Sequence, residues 1–322
     1  MPRRGRAACL LLLHTVPLCA CSRAERDTEN EARAVASATS SAPSPPPPPS
    51  AESLALLHLP RTEDSLPPPI AEGLLPGAPP LPRSRCPAEM VDVRGEFCID
   101  RYESSFVDAD NGVALSPHYH PTRAQTIASY ERYRRRGASR APAVPEPPSF
   151  QLERDPRPEA RSLVSVLPQG YLSRDLAERA CRAVGKRLCS SSEWVRACRG
   201  EQNRKFPYGE QYQDGACNVF REAHPAAKIH GDASREHLDP RLGLVQSDRG
   251  PLLRRTGESA QCRSSWGSDG IFDMVGNLDE WVADGGFMGG FFSRGTRDGC
   301  DARITSHPPE YFDYSLGGRC CR

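Results

Sequence analysis

Apolar residues in this chain come in short runs interrupted by glycine, proline or aspartate, and in two places they recur at helical spacing. Leu176, Ala177, Ala180 and Val184 form one stripe behind Ser173, and Gly185 follows it, which predicts a helix capped by Ser173. Trp194, Val195, Ala197 and Cys198 form a second stripe, capped by Ser190 or Ser191 and stopped by Gly200. A short basic helix is predicted around Ala124 to Arg136. Short β-favouring runs bounded by turn residues predict strands at Glu89 to Val93, Glu96 to Arg101, Gly289 to Arg294 and near Gly317 to Cys321. No internal repeat is evident. The mixture predicts a single α+β domain poor in regular secondary structure.

The N-terminus is patterned differently. Arg3, Arg4 and Arg6 precede an apolar core at Leu10 to Leu13, and Leu18-Cys19-Ala20-Cys21 follows. That core is too short for a permanent membrane span, so residues 1–20 read as a removable export signal. Its end resembles the bacterial lipobox, which implies that Cys21 carries a lipid; an ordinary secretory signal cut nearby is the alternative. Ser22 resembles the outer-membrane sorting signal of Gram-negative lipoproteins, so the expected location is lipid-anchored in the outer membrane. Residues 21–85 are rich in Ala, Ser and Pro, including Pro45 to Pro49. Such a composition cannot bury enough apolar surface to offset chain entropy, and it reads as an extended tether.

Charge and cysteine content narrow the classes. Lys plus Arg number 42 against 41 for Asp plus Glu, a net charge of +1, which gives no reason to expect a nucleic-acid partner. Of thirteen cysteines, Cys9 and Cys19 fall in the signal and Cys21 at the lipid position, leaving ten, enough for five disulfides in an oxidising compartment. No CxxC pair or HxxxH spacing suggests zinc. Within the domain, residues 106–162 read as a variable insertion, exposed beyond its basic helix. Arg132, Arg134, Arg135 and Arg136 in it suit lipid headgroups or an anionic polymer, though a solvated loop is the simpler reading.

Five blocks then carry a resemblance. FCIDRYESS (Phe97 to Ser105), SRDLAERACRAVGKRL with SSSEWVRACRG, FPYG with CNVF, DMVGNLDEW and the terminal GGRCC occur in the order found in the sulfatase-modifying factor family, the formylglycine-generating enzyme domain. The resemblance covers most of residues 86–322. It implies a variant of the C-type lectin fold, and function does not follow from fold alone. It also implies two bridges, Cys181 with Cys320 and Cys198 with Cys300. For the other six cysteines the connectivity is open; the preferred pairings are Cys217 with Cys262, Cys98 with Cys189, and Cys86 with Cys321.

In that family's oxidases two cysteines hold copper, and here their places fall near Gly290 and Gly295. Copper(I) wants soft thiolates, and no cysteine lies between Cys262 and Cys300, so copper is not expected. The resemblance implies calcium on Asp273, Gly276, Leu278 and Glu280, a turn able to offer hard oxygen ligands. A second calcium site would use Asn218 and the carbonyl of Val219, but its downstream partner is not evident, and Asp232 is a poor replacement. Trp194 and Trp281 read as core residues. Trp266, expected to be partly exposed beside the calcium turn, joins His307 and Tyr311 as candidates for a ligand groove. The implied function is a noncatalytic domain of an exported lipoprotein that binds a peptide, glycan or envelope protein. The alternative is an oxidoreductase of the family acting through a different metal site; a spacing role in the envelope is a third reading.

Overall fold

The computed structural model describes residues 85–137, 141–220, 224–294 and 297–322. The export signal, Cys21 and nearly all of the tether lie outside the described residues. The chain divides into Met1–Gly77 and Ala78–Arg322, and all described residues belong to the second unit.

The elements are short: β1 (Met90–Val93), β2 (Phe97–Asp100), β3 (Ser104–Asp108), α1 (Arg123–Arg134), α2 (Ser149–Glu153), β4 (Pro158–Ser162), α3 (Arg174–Ala183), β5 (Arg187–Leu188), α4 (Ser191–Arg199) and α5 (Pro225–His230), followed by β6 (Gln246–Ser247), β7 (Gly250–Pro251), β8 (Arg263–Trp266), β9 (Asp269–Phe272), β10 (Asp279–Trp281), β11 (Phe287–Met288), β12 (Arg303–Ile304), β13 (Leu316–Gly318) and β14 (Cys320–Cys321). One four-stranded sheet has the order β1-β2-β14-β5 and a second β12-β11-β10-β13; three two-stranded sheets, β3-β4, β6-β7 and β8-β9, complete the set. In the first sheet the last strand lies against β2, with Cys321 opposite Ile99, so the two ends of the domain close on each other. In the second, β10 pairs parallel to β13 and antiparallel to β11.

Local chemistry accounts for the two main helices. Ser190 caps α4 in a full capping box, its hydroxyl accepting from the Glu193 amide while the Glu193 carboxylate returns to Ser190 N. Leu176, Ala177, Ala180 and Cys181 are the buried face of α3, but Ser173 makes no side-chain cap bond and Val184 lies just past the helix. The strand expected at Gly289 to Arg294 is instead Phe287–Met288, because Gly289 and Gly290 adopt φ of 90° and 79° and break the ladder.

The segment 106–162 is not the exposed loop its charges and prolines predict. β3 and β4 pair over five residues and close it at the base. Thr126, Tyr119, Tyr133 and Gln151 are buried in it. Arg132 and Arg136 are held by Glu236, 2.7 and 2.8 Å away, and Arg134 and Arg135 by Glu131, so the basic cluster is largely paired within the domain.

Five disulfides join Cys181 to Cys320, Cys198 to Cys300, Cys217 to Cys262, Cys86 to Cys98 and Cys189 to Cys321. The last two replace the expected pairings of Cys98 with Cys189 and Cys86 with Cys321. The reason is strand alternation: consecutive cysteines on β14 project to opposite faces, so Cys320 meets α3 while Cys321 meets the residue after β5. Cys98 on β2 is left for Cys86, which precedes the neighbouring strand.

Candidate functional site

The turn between β9 and β10 is built by backbone that few residues tolerate. Asp273, Gly276 and Asn277 have φ of 60°, 86° and 59°. A Cβ at Gly276 would fall 2.4 Å from the carbonyl oxygen of Asn218, so glycine is required there. Asn218 is thereby brought against the turn: its carbonyl accepts from Asn277 N, and its side-chain amide donates to Leu252 O at 2.8 Å and Asn277 Oδ1 at 3.0 Å. Asp232, by contrast, bonds within its own loop, to Ser234 and Arg235.

Three buried carboxylates surround this turn. Glu280 accepts from Trp194 Nε1 at 2.8 Å and from Arg319 Nη2 at 2.8 Å. Asp273 accepts from Gly257 N at 2.7 Å, and Glu103, which the sequence reading assigned no role, accepts from Asn277 Nδ2 at 2.6 Å and Leu278 N at 3.1 Å. Burial, with Asp273 and Glu280 close by, holds the Glu103 carboxyl well above the usual carboxylate range, and burial likewise raises Asp273. Arg319 is fully buried and also donates to the carbonyls of Asp100 and Phe272. Three acids share this one buried guanidinium, and their crowding together with burial favours the protonated form of Glu103 and Asp273. Two carboxylates and turn carbonyls are hard oxygen donors that fit calcium chemically. Side chains alone do not make such a site, since among the described residues no group of three or more His, Cys, Asp or Glu is placed to hold a metal ion.

Of the two places implied for copper thiolates, Gly295 lies outside the described residues and Gly290 meets a carboxylate. Gly290 N donates to Asp279 Oδ1 at 3.0 Å, and Arg294, beside Gly295, donates to the same oxygen at 2.6 Å. Asp279 is 1% exposed, and burial pushes its carboxyl up to about 7 despite Arg294. All ten cysteines among the described residues are in disulfides, so none offers a thiolate.

The proposed groove residues divide. Trp266 is only 4% exposed, contrary to expectation; its indole N–H donates to Ala197 O, and Arg196 stacks over its ring at 4.4 Å. Residues 263–266 are a strand packed on α4, which turns the ring inward. His307 and Tyr311 do come together, stacked at 4.0 Å and continued by Phe287 and Trp281. Tyr311 also lines an open cavity of about 450 Å³, bounded by Ser234, Glu236, His237 and Leu238 on one side and Glu310 to Asp313 on the other. Asp313 accepts from Tyr311 OH at 2.7 Å and from Ser315 N and Oγ, and its charge contributes to raising Asp279. Asp279, Arg294, Asp313 and His237 were not singled out from sequence; nothing in a linear pattern marks these aspartates as buried.

No curated protein sequence matches the chain. Among solved structures, PvdO from Pseudomonas aeruginosa is similar at 15% identity, over 70% of this chain and 80% of that one, with a TM-score of 0.35. CarF is similar at 14% identity, over 70% of this chain and 86% of that one, with a TM-score of 0.34. A family profile for the sulfatase-modifying factor enzyme 1-like domain matches residues 81–297, which takes in the β9–β10 turn and Asp279–Arg294. With two thirds of its length so matched, the chain belongs to the sulfatase-modifying factor enzyme 1-like, or formylglycine-generating enzyme-like, family.

Proposed function

We propose that this chain is a noncatalytic member of its family: an exported lipoprotein, lipidated at Cys21, whose domain binds a peptide, glycan or envelope protein at the outer membrane of a Gram-negative bacterium. The observation that carries the reading is the commitment of the domain's ten cysteines to disulfides, with the Asp279–Arg294 ion pair beside Gly290, one of the two thiolate places. A carboxylate and a guanidinium cannot grip a soft monovalent copper ion or exchange thiol chemistry with a substrate cysteine. The aromatic surface of His307 and Tyr311 is suited to recognition. A cysteine-containing sulfatase peptide offered to the full chain with oxygen and copper is expected to give no oxygen consumption and no formylglycine. Turnover at the rate of an active family oxidase sinks the reading.

Calcium belongs to the same proposal, as a structural ion on Asp273 and Glu280 with the carbonyls of Gly276 and Leu278, and a second ion at Asn218 and the carbonyl of Val219. An ion that binds only the folded state raises the melting temperature with concentration. Millimolar calcium is therefore expected to raise the melting temperature of the wild type and to leave Asp273→Asn unchanged. Equal responses from both proteins rule out the Asp273 site.

A further inference from the structure

The binding role leaves the ligand's chemistry open, and one gap in the aromatic cavity narrows it. His237 Nε2 lies 2.8 Å from the carbonyl oxygen of Ala233. A carbonyl only accepts, so Nε2 carries the proton, and in the neutral ring Nδ1 keeps its lone pair. That Nδ1 lies 3.8 Å from Asp313 Oδ2. The two atoms are both acceptors and too far apart to bond directly, yet a donor nitrogen fits at roughly 2.9 Å from each. Asp313 has its remaining bonds within its own turn, from Tyr311 OH and from Ser315 N and Oγ.

Charge points the same way. Among the described residues no lysine or arginine lines this cavity. Its acids are Glu236, already neutralised from outside by Arg132 and Arg136, together with Glu310 and Asp313. Tyr311 and Phe312 supply aromatic surface beside them, which favours a cation with an apolar stem.

We propose that this cavity binds an organic cation, a primary ammonium or guanidinium group that donates to both His237 Nδ1 and Asp313 Oδ2 while its stem lies on Tyr311 and Phe312. The inference rests on the binding reading above and specifies what that site recognises. A lysine or arginine side chain of a peptide and a free polyamine share this chemistry. The opposite wall, Ser234 to Leu238, is held by the clamp of Arg132, Tyr133 and Arg136 on Glu236, so the segment 106–162 sets the width of the site.

The test is calorimetric titration of the full chain with n-butylamine, 1-butanol and butyrate, followed by spermidine and a short lysine-containing peptide with its alanine counterpart. The amine is expected to bind at least about tenfold more tightly than the alcohol or the acid, as a charge-assisted bond requires. His237→Phe is expected to remove that preference, and Glu310→Gln, an exposed substitution that spares the fold, to weaken the amine by about threefold. Equal binding of amine and alcohol overturns the inference, as does an unchanged preference in His237→Phe, which would place the amine away from His237. Spermidine binding without discrimination between the two peptides supports the cation site and assigns it to free amines; a preference for the lysine peptide supports it and assigns it to peptides. Peptide binding indifferent to the lysine leaves the broader binding role standing and sinks the cation site.

Discussion

Arg319→Met is expected to destabilise the domain by about 3–5 kcal/mol, the usual cost of removing one partner from a buried ion pair. Arg319 is the buried guanidinium facing Glu280, with Glu103 and Asp273 in electrostatic range, and it also satisfies the carbonyls of Asp100 and Phe272. Methionine fills much of the volume but leaves Glu280 charged with Trp194 Nε1 as its remaining donor, and two carbonyls lose a donor. For a domain of this size that loss corresponds to a fall in melting temperature on the order of 10 °C. The double variant Arg319→Met with Glu280→Gln is expected to recover a measurable part, because it removes the uncompensated charge as well. The check is denaturant unfolding of the three proteins. A loss below about 1 kcal/mol for Arg319→Met would mean that the acids are neutral or solvated, contrary to a buried network needing its cation.

The disulfides at β14 are expected to act as mutual backups. Cys181–Cys320 and Cys189–Cys321 span 139 and 132 residues, but each is short-circuited by the other. With one intact, the loop closed by its neighbour is only about ten residues, and removing that neighbour costs roughly 3 kcal/mol in the chain-entropy account. Once both are gone, the shortest covalent path runs through Cys198–Cys300 and closes about thirty residues, so the second removal costs about 4 kcal/mol more. Cys181→Ala/Cys320→Ala and Cys189→Ala/Cys321→Ala should each fold, whereas the fourfold variant should lose about 7 kcal/mol and be largely unfolded at 37 °C. Chemical denaturation under non-reducing conditions measures all three. If the two paired removals each cost as much as the fourfold one, the redundancy is wrong and the two bridges act as one unit.

Legibility of the site followed the range of the interactions. The β9–β10 turn could be located because its glycine and acids occupy neighbouring positions, and a close backbone approach at Gly276 needs glycine whatever surrounds it. Asp279 opens β10 and Arg294 lies in the loop after β11, and they meet through the β10–β11 hairpin and the break at Gly289–Gly290, so no spacing rule joins them. Trp266 misled for a similar reason. In a glycine-flanked hairpin its ring has two faces to choose between, and packing on α4 made the choice. The basic run at Arg132 to Arg136 looked solvated because its counter-charge, Glu236, lies a hundred residues further on.

The sequence by itself determined the elements whose causes are local: a serine cap at Ser190 or Ser191, the apolar face of α3, the family motifs, and the absence of cysteine between Cys262 and Cys300. Only the tertiary structure decided which cysteines pair on β14, that residues 106–162 are packed and not merely exposed, that Asp279 is buried against Arg294, and that an acceptor-lined cavity opens beside Tyr311. The division has one physical reason. Caps and stripes are settled within a few residues of backbone, whereas burial and charge pairing depend on segments that come together only when the sheets close.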